Sequence, residues 1–524
     1  MECDILIQGG TVMPGDGGGF PADIAVRGDQ IVAVQPGIAA EGVRRVIDAT
    51  GLWVCPGFID MHAHSALQSF EDPYLLPKVA QGFTTEVLHP DGLAPAPVQP
   101  AHVAERQAYL RALEGEGPPH WNWSSFAEYL RALDATRPMT TLIPSIGHNA
   151  IRDYVMGSEN RQPTSGELAA MRQEIRAASE LGARTFSLGL IYLPGVFSQT
   201  AELLALAREA ALAQIPLVPH IRNEGADVLD AVREMVEIAQ KSGASLHISH
   251  LKVVGNAHLV EPLLELIHQA RREIDISFDQ YPYGAGSTLL SALLPPWALE
   301  GGPQTIMKRL AHPATRQRIE GDISRGLTGW ENLYRSCGPE NVVFAGAASS
   351  RQHDVGKSLR DISLEGNVSP IDAALDLLRD TALNVTMVDH YATEATIRTI
   401  FQHPMALVGS DGIFGPRPHP RLYGTAARVL GRYALRERLI SAQEAIARLT
   451  ARAADRLGLA DRGRIAVRLR ADLVLLDPQT YLDNATYEEP RRLPSGVHYV
   501  LVGGQVAWEN GGPTGTRSGG VWGQ

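Results

Sequence analysis

Cysteine is scarce in this chain: Cys3, Cys55 and Cys337 are three residues in 524, far apart. A disulfide framework or a structural zinc knuckle needs several cysteines at short spacing, so both are excluded, and the usage fits a reducing cytoplasm. Lysine is nearly as rare. Five (Lys78, Lys241, Lys252, Lys308, Lys357) stand among 47 basic residues, so a site that needs a lysine has few candidates. There is no basic stripe, and the net charge is −11. That argues against a nucleic-acid partner, because binding a phosphate backbone requires clustered cations. No apolar run approaches the roughly 18 residues of a membrane span, so no membrane partner is expected. Met1-Glu2-Cys3-Asp4 has neither a basic start nor a long apolar stretch after it, so no secretory leader is expected. The glycine run Gly15 to Gly19 lacks the strand-to-helix setting of a phosphate-binding loop.

What is present is an ordinary globular composition, 44% hydrophobic and 20% charged. The chain is too long for one ordinary core, which implies a large domain plus a smaller one. Its two ends read alike. Asp4 to Gly10, Ala22 to Val34 (two strands about Gly28-Asp29) and Val46 to Val54 alternate as short strands, as do Ala471 to Pro478 and Tyr499 to Trp508. Neither end alone buries a core. The expectation is one β-sandwich domain built from residues 1–56 plus 456–524, with the middle of the chain as a long insertion.

That middle, residues 57–455, alternates between short apolar runs and helical stretches such as Ala201–Ala213 and Val228–Lys241. Eight runs read as strands: Val54–His64, Thr84–His89, Thr141–Ser145, Arg184–Gly189, Pro216–Arg222, Ser245–Lys252, Ile274–Tyr281 and Met405–Asp411. Eight strands alternating with helices predict an α/β fold of the (β/α)8 TIM-like barrel type. The stretch at about 284–369 is too long for one connection and reads as an inserted lobe.

Five residues with metal-binding chemistry close these strands. His62 and His64 end the first, in Asp60-Met61-His62-Ala63-His64; residues two apart on a strand face the same side and can share one ion. His220 and His250 end the fifth and sixth strands, one β-loop-α unit apart. Asp411 follows the eighth, in Ser410-Asp411-Gly412. Strand ends converge on the mouth where barrel active sites lie. Imidazole and carboxylate donors suit zinc or a similar divalent ion.

This set resembles the metal-dependent amidohydrolase superfamily. Gly57-Phe58-Ile59-Asp60-Met61-His62-Ala63-His64 is similar to its first-strand signature. Narrower matches are Ser187 to Gly195, His220 to Gly225, Ile248 to Lys252, Asp279 to Tyr283, and Ser410-Asp411-Gly412 followed by His419-Pro420-Arg421. Together they resemble the N-acyl-D-amino-acid deacylase (D-aminoacylase) branch over nearly the whole chain. The resemblance implies a barrel with a small β-sandwich and a metal-dependent amide hydrolase. It implies one or two Zn²⁺ ions, with Mn²⁺ or Co²⁺ as alternatives, and a small-molecule substrate. It leaves a homo-oligomer open.

One position departs from the branch, which carries a cysteine ligand after the second strand. Here the stretch is Thr84 to Pro95, and Asp91 falls at the cysteine position, with His89 as a rival ligand. A Pro-Asp-Gly turn is the plain alternative for Asp91. The strand-four region has no lysine for a carbamylated bridge. The resemblance further assigns Lys252, Tyr283, Ser287 and Arg421 to the substrate α-carboxylate, a task suited to cations and hydroxyl donors. His148 could line the mouth; His390, Trp121 and Trp123 read as outside it. The expected activity is hydrolysis of N-acyl-D-amino acids or close analogues, through a metal-activated water with Asp411 as general base and acid. Two other readings stay open: a cyclic amide or other non-amino-acid amide as substrate, and a non-catalytic amidohydrolase-like assembly protein.

Overall fold

Val54 and Cys55 lie opposite Leu475 and Val474 in antiparallel register, so a strand near residue 55 is hydrogen-bonded to one more than 400 positions later. The computed structural model describes residues 3–347 and 351–524. Around that junction runs a sheet in the order Gly512–Pro513, Gln505–Glu509, Val497–Val502, Leu473–Leu476, Trp53–Pro56, Ile5–Val12, Phe20–Arg27, Gln30–Gln35, with Arg45–Asp48 also paired to Ile5–Val12. Alternation decides what each face buries. Ile5, Ile7, Ile24, Val26, Leu473 and Leu475 share one apolar cluster. Val474, Leu476, Val500 and Val502, one residue out of step, pack with Phe58, Phe83 and Tyr433 of the central region.

Past Gly57 the chain enters a set of parallel strands. Phe58–Asp60 pairs with Phe83–Val87, which pairs with Thr141–Ile143. Ser145–Gly147, Thr185–Gly189, Leu217–His220, Leu246–Ile248, Ile276–Gln280 and Ala406–Val408 continue the parallel pairing in that order. Pro144, which has no N–H to donate, separates Thr141–Ile143 from Ser145–Gly147. The first strand also meets the last. Met61 N–H donates to Val408 O at 3.1 Å and Asp411 N–H to His62 O at 2.9 Å, and Ala63 bridges Gly412 in parallel. These strands are buried along their whole length, as expected where helices cover the outside. Amphipathic helices such as Val228–Ser242 and Val260–Ala270 supply that cover.

Between Gln280 and Ala406 lies a lobe with its own antiparallel sheet, Ala285–Leu289, Val385–His390 and Val342–Ala347, with the second in the middle. Leu290, Leu310, Ile319, Leu375 and Met387 form part of its apolar core. The lobe's central strand thus ends at His390, past position 369. The chain's last residues leave the terminal sheet. Gly520–Val521 pairs in parallel with Thr141 and Leu142, and the Trp522 ring lies between the guanidiniums of Arg462 (4.9 Å) and Arg184 (5.3 Å). Among the described residues no helix is long and apolar enough to cross a membrane.

Candidate metal centre and active site

His62 and His64 sit just beyond the strand Phe58–Asp60, on either side of the Ala63 bridge, and both are buried. A charged clamp underneath fixes this corner. Lys78 Nζ is 2.7 Å from Asp60 Oδ2 and 2.7 Å from Ser410 Oγ, while Asp60 Oδ1 accepts the N–H groups of His62 (3.2 Å) and Ser410 (2.7 Å). Lys78 and Asp60 have no solvent exposure. The clamp ties the end of the first parallel strand to that of the last, and so relates His62 to Asp411.

Asp91 lies between the two histidine pairs. Its Oδ2 is 3.7 Å from His62 Nε2 and 3.7 Å from His64 Nε2; its Oδ1 is 3.6 Å from His220 Nδ1 and 3.3 Å from His250 Nε2. One carboxylate oxygen thus faces each pair. Asp411 Oδ1 completes the first group at 3.2 Å from His64 Nε2 and 3.6 Å from His62 Nε2. Asp91, His250 and Asp411 all take left-handed backbone angles (φ of 57°, 33° and 49°). Such angles cost non-glycine residues about 1–3 kcal/mol each and persist only where the surroundings impose them. At Asp91 the imposition is visible: the backbone of Gly189 approaches so closely that a Cβ there would lie 1.8 Å from Asp91 O.

The donor set fits a divalent cation. Both ring nitrogens of His62, Asp91 Oδ1 and His220 Nε2 are buried without a hydrogen-bond partner, a condition costly for groups that are not ligands. The triads His62–His64–Asp91, His62–His250–Asp411 and Asp91–His220–His250 each bring one ligand atom per residue within 4.8 Å of one another. The field also favours positive charge. Burial disfavours an imidazolium at His64, yet the carboxylates of Glu114 and Asp411 push it up to about 10. At His250, burial and Lys252 are outweighed by Glu224 and Asp91, with the same result, about 10. Outer partners orient the ligands: Glu114 Oε1 lies 2.6 Å from His64 Nδ1, and Asp279 accepts the His250 N–H at 3.0 Å while also holding His247.

A cleft opens onto this centre, lined by His64, Asp91, His220, His250, Asp411, Lys252, Ser287 and Arg421 among others. Arg421 Nη2 is 2.9 Å from Asp411 Oδ1 and donates to Ser287 O at 2.9 Å, while its Nε and Nη1 have no partner. Burial opposes ionisation of Asp411, but Arg421 overrides it and holds the carboxyl far below the usual carboxylate range. Lys252 lines the cleft, but its ammonium is engaged by Glu224 Oε1 at 2.8 Å and His250 Nδ1 at 2.8 Å. Tyr283 is buried, its hydroxyl without a hydrogen-bond partner. It is not among the cleft's lining residues; its ring lies against the Arg428 guanidinium (4.8 Å) and His419 (5.3 Å). The tight turn at Pro282, closed by Tyr283 N–H to Tyr281 O at 3.0 Å, sends the two tyrosines different ways. Tyr281 lines the cleft, its ring 4.4 Å from the Arg421 guanidinium carbon.

The rival His89 is engaged elsewhere. Its Nδ1 is 3.0 Å from Ser145 O and its Nε2 3.0 Å from Tyr129 OH, and burial pushes it down to about 4. His148 is buried 2.9 Å from Glu202 and does not line the cleft. His390 lies tilted against Tyr487 (4.9 Å), and Trp121 and Trp123 stack on each other (5.0 Å) within the core. Sequence reasoning missed four buried carboxylates: Glu114, Glu224, Glu331 and Asp389. Glu224 lay in view, four residues after His220. The lobe residues Glu331 and Asp389 carried no spacing signal. Burial, with the Glu224 charge beside it, pushes Glu331 up to about 8, and burial pushes Asp389 up to about 7.

The chain is similar to known proteins over nearly its whole length. The N-acyl-D-glutamate deacylase of Alcaligenes xylosoxydans xylosoxydans is 35% identical over 98% of this chain and 95% of its own length. The D-aminoacylase of the same organism is 33% identical over 99% of this chain and 97% of its own. The crystal structure of an N-acyl-D-glutamate deacylase from Bordetella bronchiseptica, complexed with zinc and a phosphonate mimic of the tetrahedral intermediate, superposes with a TM-score of 0.85, covers 100% of both chains and is 32% identical. The sequence pattern of the amidohydrolase family matches residues 45–507, and the chain belongs to that family.

Proposed function

We propose that this protein hydrolyses the amide bond of N-acyl-D-amino acids or close analogues. The observation that carries the reading is the Asp91 carboxylate, one oxygen toward His62 and His64 and the other toward His220 and His250, beside the Asp411–Arg421 pair. The deacylase relatives named above favour a linear N-acyl amino acid over a cyclic amide. The metal ligands in this reading are His62, His64, Asp91, His220, His250 and Asp411, with zinc as the ion and Mn²⁺ or Co²⁺ as alternatives suited to the harder Asp91 oxygen. A divalent ion held there lowers the pKa of water toward ~7 and polarises the acyl carbonyl.

The chain's own residues do the rest. Arg421 pins Asp411 Oδ1, leaving Oδ2 to take a proton from the attacking water. The water oxygen bonds to the acyl carbon, the C–N bond breaks, and Asp411 returns the proton to the leaving amine. The unpartnered Nε and Nη1 of Arg421, with Ser287 and the hydroxyls of Tyr281 and Tyr283, hold the α-carboxylate and so position the carbonyl, while Lys252, engaged by Glu224 and His250, adds its charge nearby.

The architecture we read is a (β/α)8 barrel over residues 57–455, carrying the lobe, with a β-sandwich from residues 1–56 and 456–524. The ring of parallel pairs and the Val54–Leu475 register support it. The setting is a cytoplasmic enzyme on a small-molecule substrate, without nucleic-acid or membrane partners. The test is amine release from matched N-acetyl-D- and N-acetyl-L-amino acids by enzyme loaded with Zn²⁺, Mn²⁺ or Co²⁺. D-selective turnover is expected; L-selective turnover, or none with any metal, overturns the reading.

A further inference from the structure

The cleft holds more carboxylates than its cations can pair. Arg421 is matched to Asp411 and Lys252 to Glu224. Glu331 and Asp389, both contributed by the lobe, line the same cleft and form no ion pair within 4 Å among the described residues. Glu331 Oε1 accepts the N–H of Glu224 at 3.0 Å, but its Oε2 is buried with no partner, although the side chain is only 4% exposed. Across from it are Glu224 Oε2 and the equally unpartnered Nε2 of His220, 3.8 Å apart. One atom from each of these three residues lies within 4.8 Å of the others.

Glu331 also borders a second pocket, whose walls include the aliphatic side chains Leu190, Ile191, Val196, Leu294 and Leu299. Arg222 on its wall is already committed, to Glu234 at 2.8 Å and Ser198 O at 2.6 Å. Aliphatic walls beside a buried acid group with an unpartnered oxygen suit a group with an aliphatic stem and a charged head.

We infer that Glu331, with Glu224 and Asp389 beside it, forms a cation subsite that selects substrates with a long aliphatic side chain ending in an ammonium or guanidinium. The inference rests on the deacylase reading above and names its substrate class. An acidic side chain placed there would meet the acid groups of Glu331 and Asp389 with no cation free to pair it, unlike in a relative named for D-glutamate.

The test compares kcat/KM of the metal-loaded enzyme for N-acetyl-D-lysine, N-acetyl-D-arginine, N-acetyl-D-norleucine and N-acetyl-D-glutamate. Norleucine keeps the lysine stem and lacks the charge, so the wild-type comparison needs no variant. A preference of about tenfold or more for lysine or arginine over norleucine is expected, with glutamate poorest. Glu331→Gln should cut the lysine-to-norleucine ratio several-fold, and Glu331→Arg should raise the glutamate-to-norleucine ratio. Turnover of norleucine with no gain for lysine or arginine overturns the subsite and leaves the deacylase reading standing. Turnover of none of the four overturns both.

Discussion

Arg421 holds its Nη2 2.9 Å from Oδ1 of Asp411, a buried ion pair between the loop after the last parallel strand and the first residue of the helix Arg421–Ala427. The pair keeps Asp411 ionised despite burial and engages its Oδ1. Asp411→Asn should lower kcat by about 10²–10⁴-fold, the usual worth of a general acid–base group. Arg421→Met should raise KM for N-acyl-D-amino acids as well as lowering kcat, because it removes both the partner of Asp411 and the carboxylate anchor. Steady-state kinetics alongside metal analysis checks both. Full activity in Asp411→Asn with metal retained would sink the proton-transfer role.

Asp91 serves both histidine pairs with one carboxylate, so its loss should be felt in metal content before anything else. Asp91→Asn should bind measurably less metal per chain than wild type, read by elemental analysis after dialysis. Asp91→Cys restores the thiolate that the resembled branch carries. It should retain zinc and lose affinity for Mn²⁺, because a soft sulfur disfavours the harder ion. Equal Mn²⁺ binding by Asp91→Cys and wild type would place Asp91 outside the ligand set.

Lys78 is a buried cation whose partner Asp60 holds the backbone of both His62 and Ser410. Lys78→Met leaves Asp60 as an unpaired buried charge, and a loss of about 3–5 kcal/mol in unfolding free energy is expected. Adding Asp60→Asn should recover part of that loss, since the two residues form one network. Denaturant unfolding of the single and double variants measures both quantities. A Lys78→Met protein as stable as wild type would show that the clamp carries no net stability.

Much of this site was legible because its parts obey local rules. His62 and His64 are two residues apart at a strand end, and His220, His250 and Asp411 each close an apolar run. Asp91 was found only by its place relative to a family cysteine, since Pro90-Asp91-Gly92 on its own reads as a turn. Tyr281 and Tyr283 show the limit. Both stand in one five-residue motif, and only the turn at Pro282 sends the two rings different ways.

The sequence by itself determined the parallel strands, the histidine-bearing strand ends and the need for the two termini to combine. These follow from the period of apolar residues and from the inability of a few short strands to bury a core alone. Only the tertiary structure decided which further carboxylates surround the site. Glu114 against His64, Glu331 above Glu224, and Asp60 against Lys78 join residues 18 to 107 positions apart. Acidic residues are common on any surface and carry no period. Their role comes from burial and from the partner they meet, and both exist only once the chain has closed on itself.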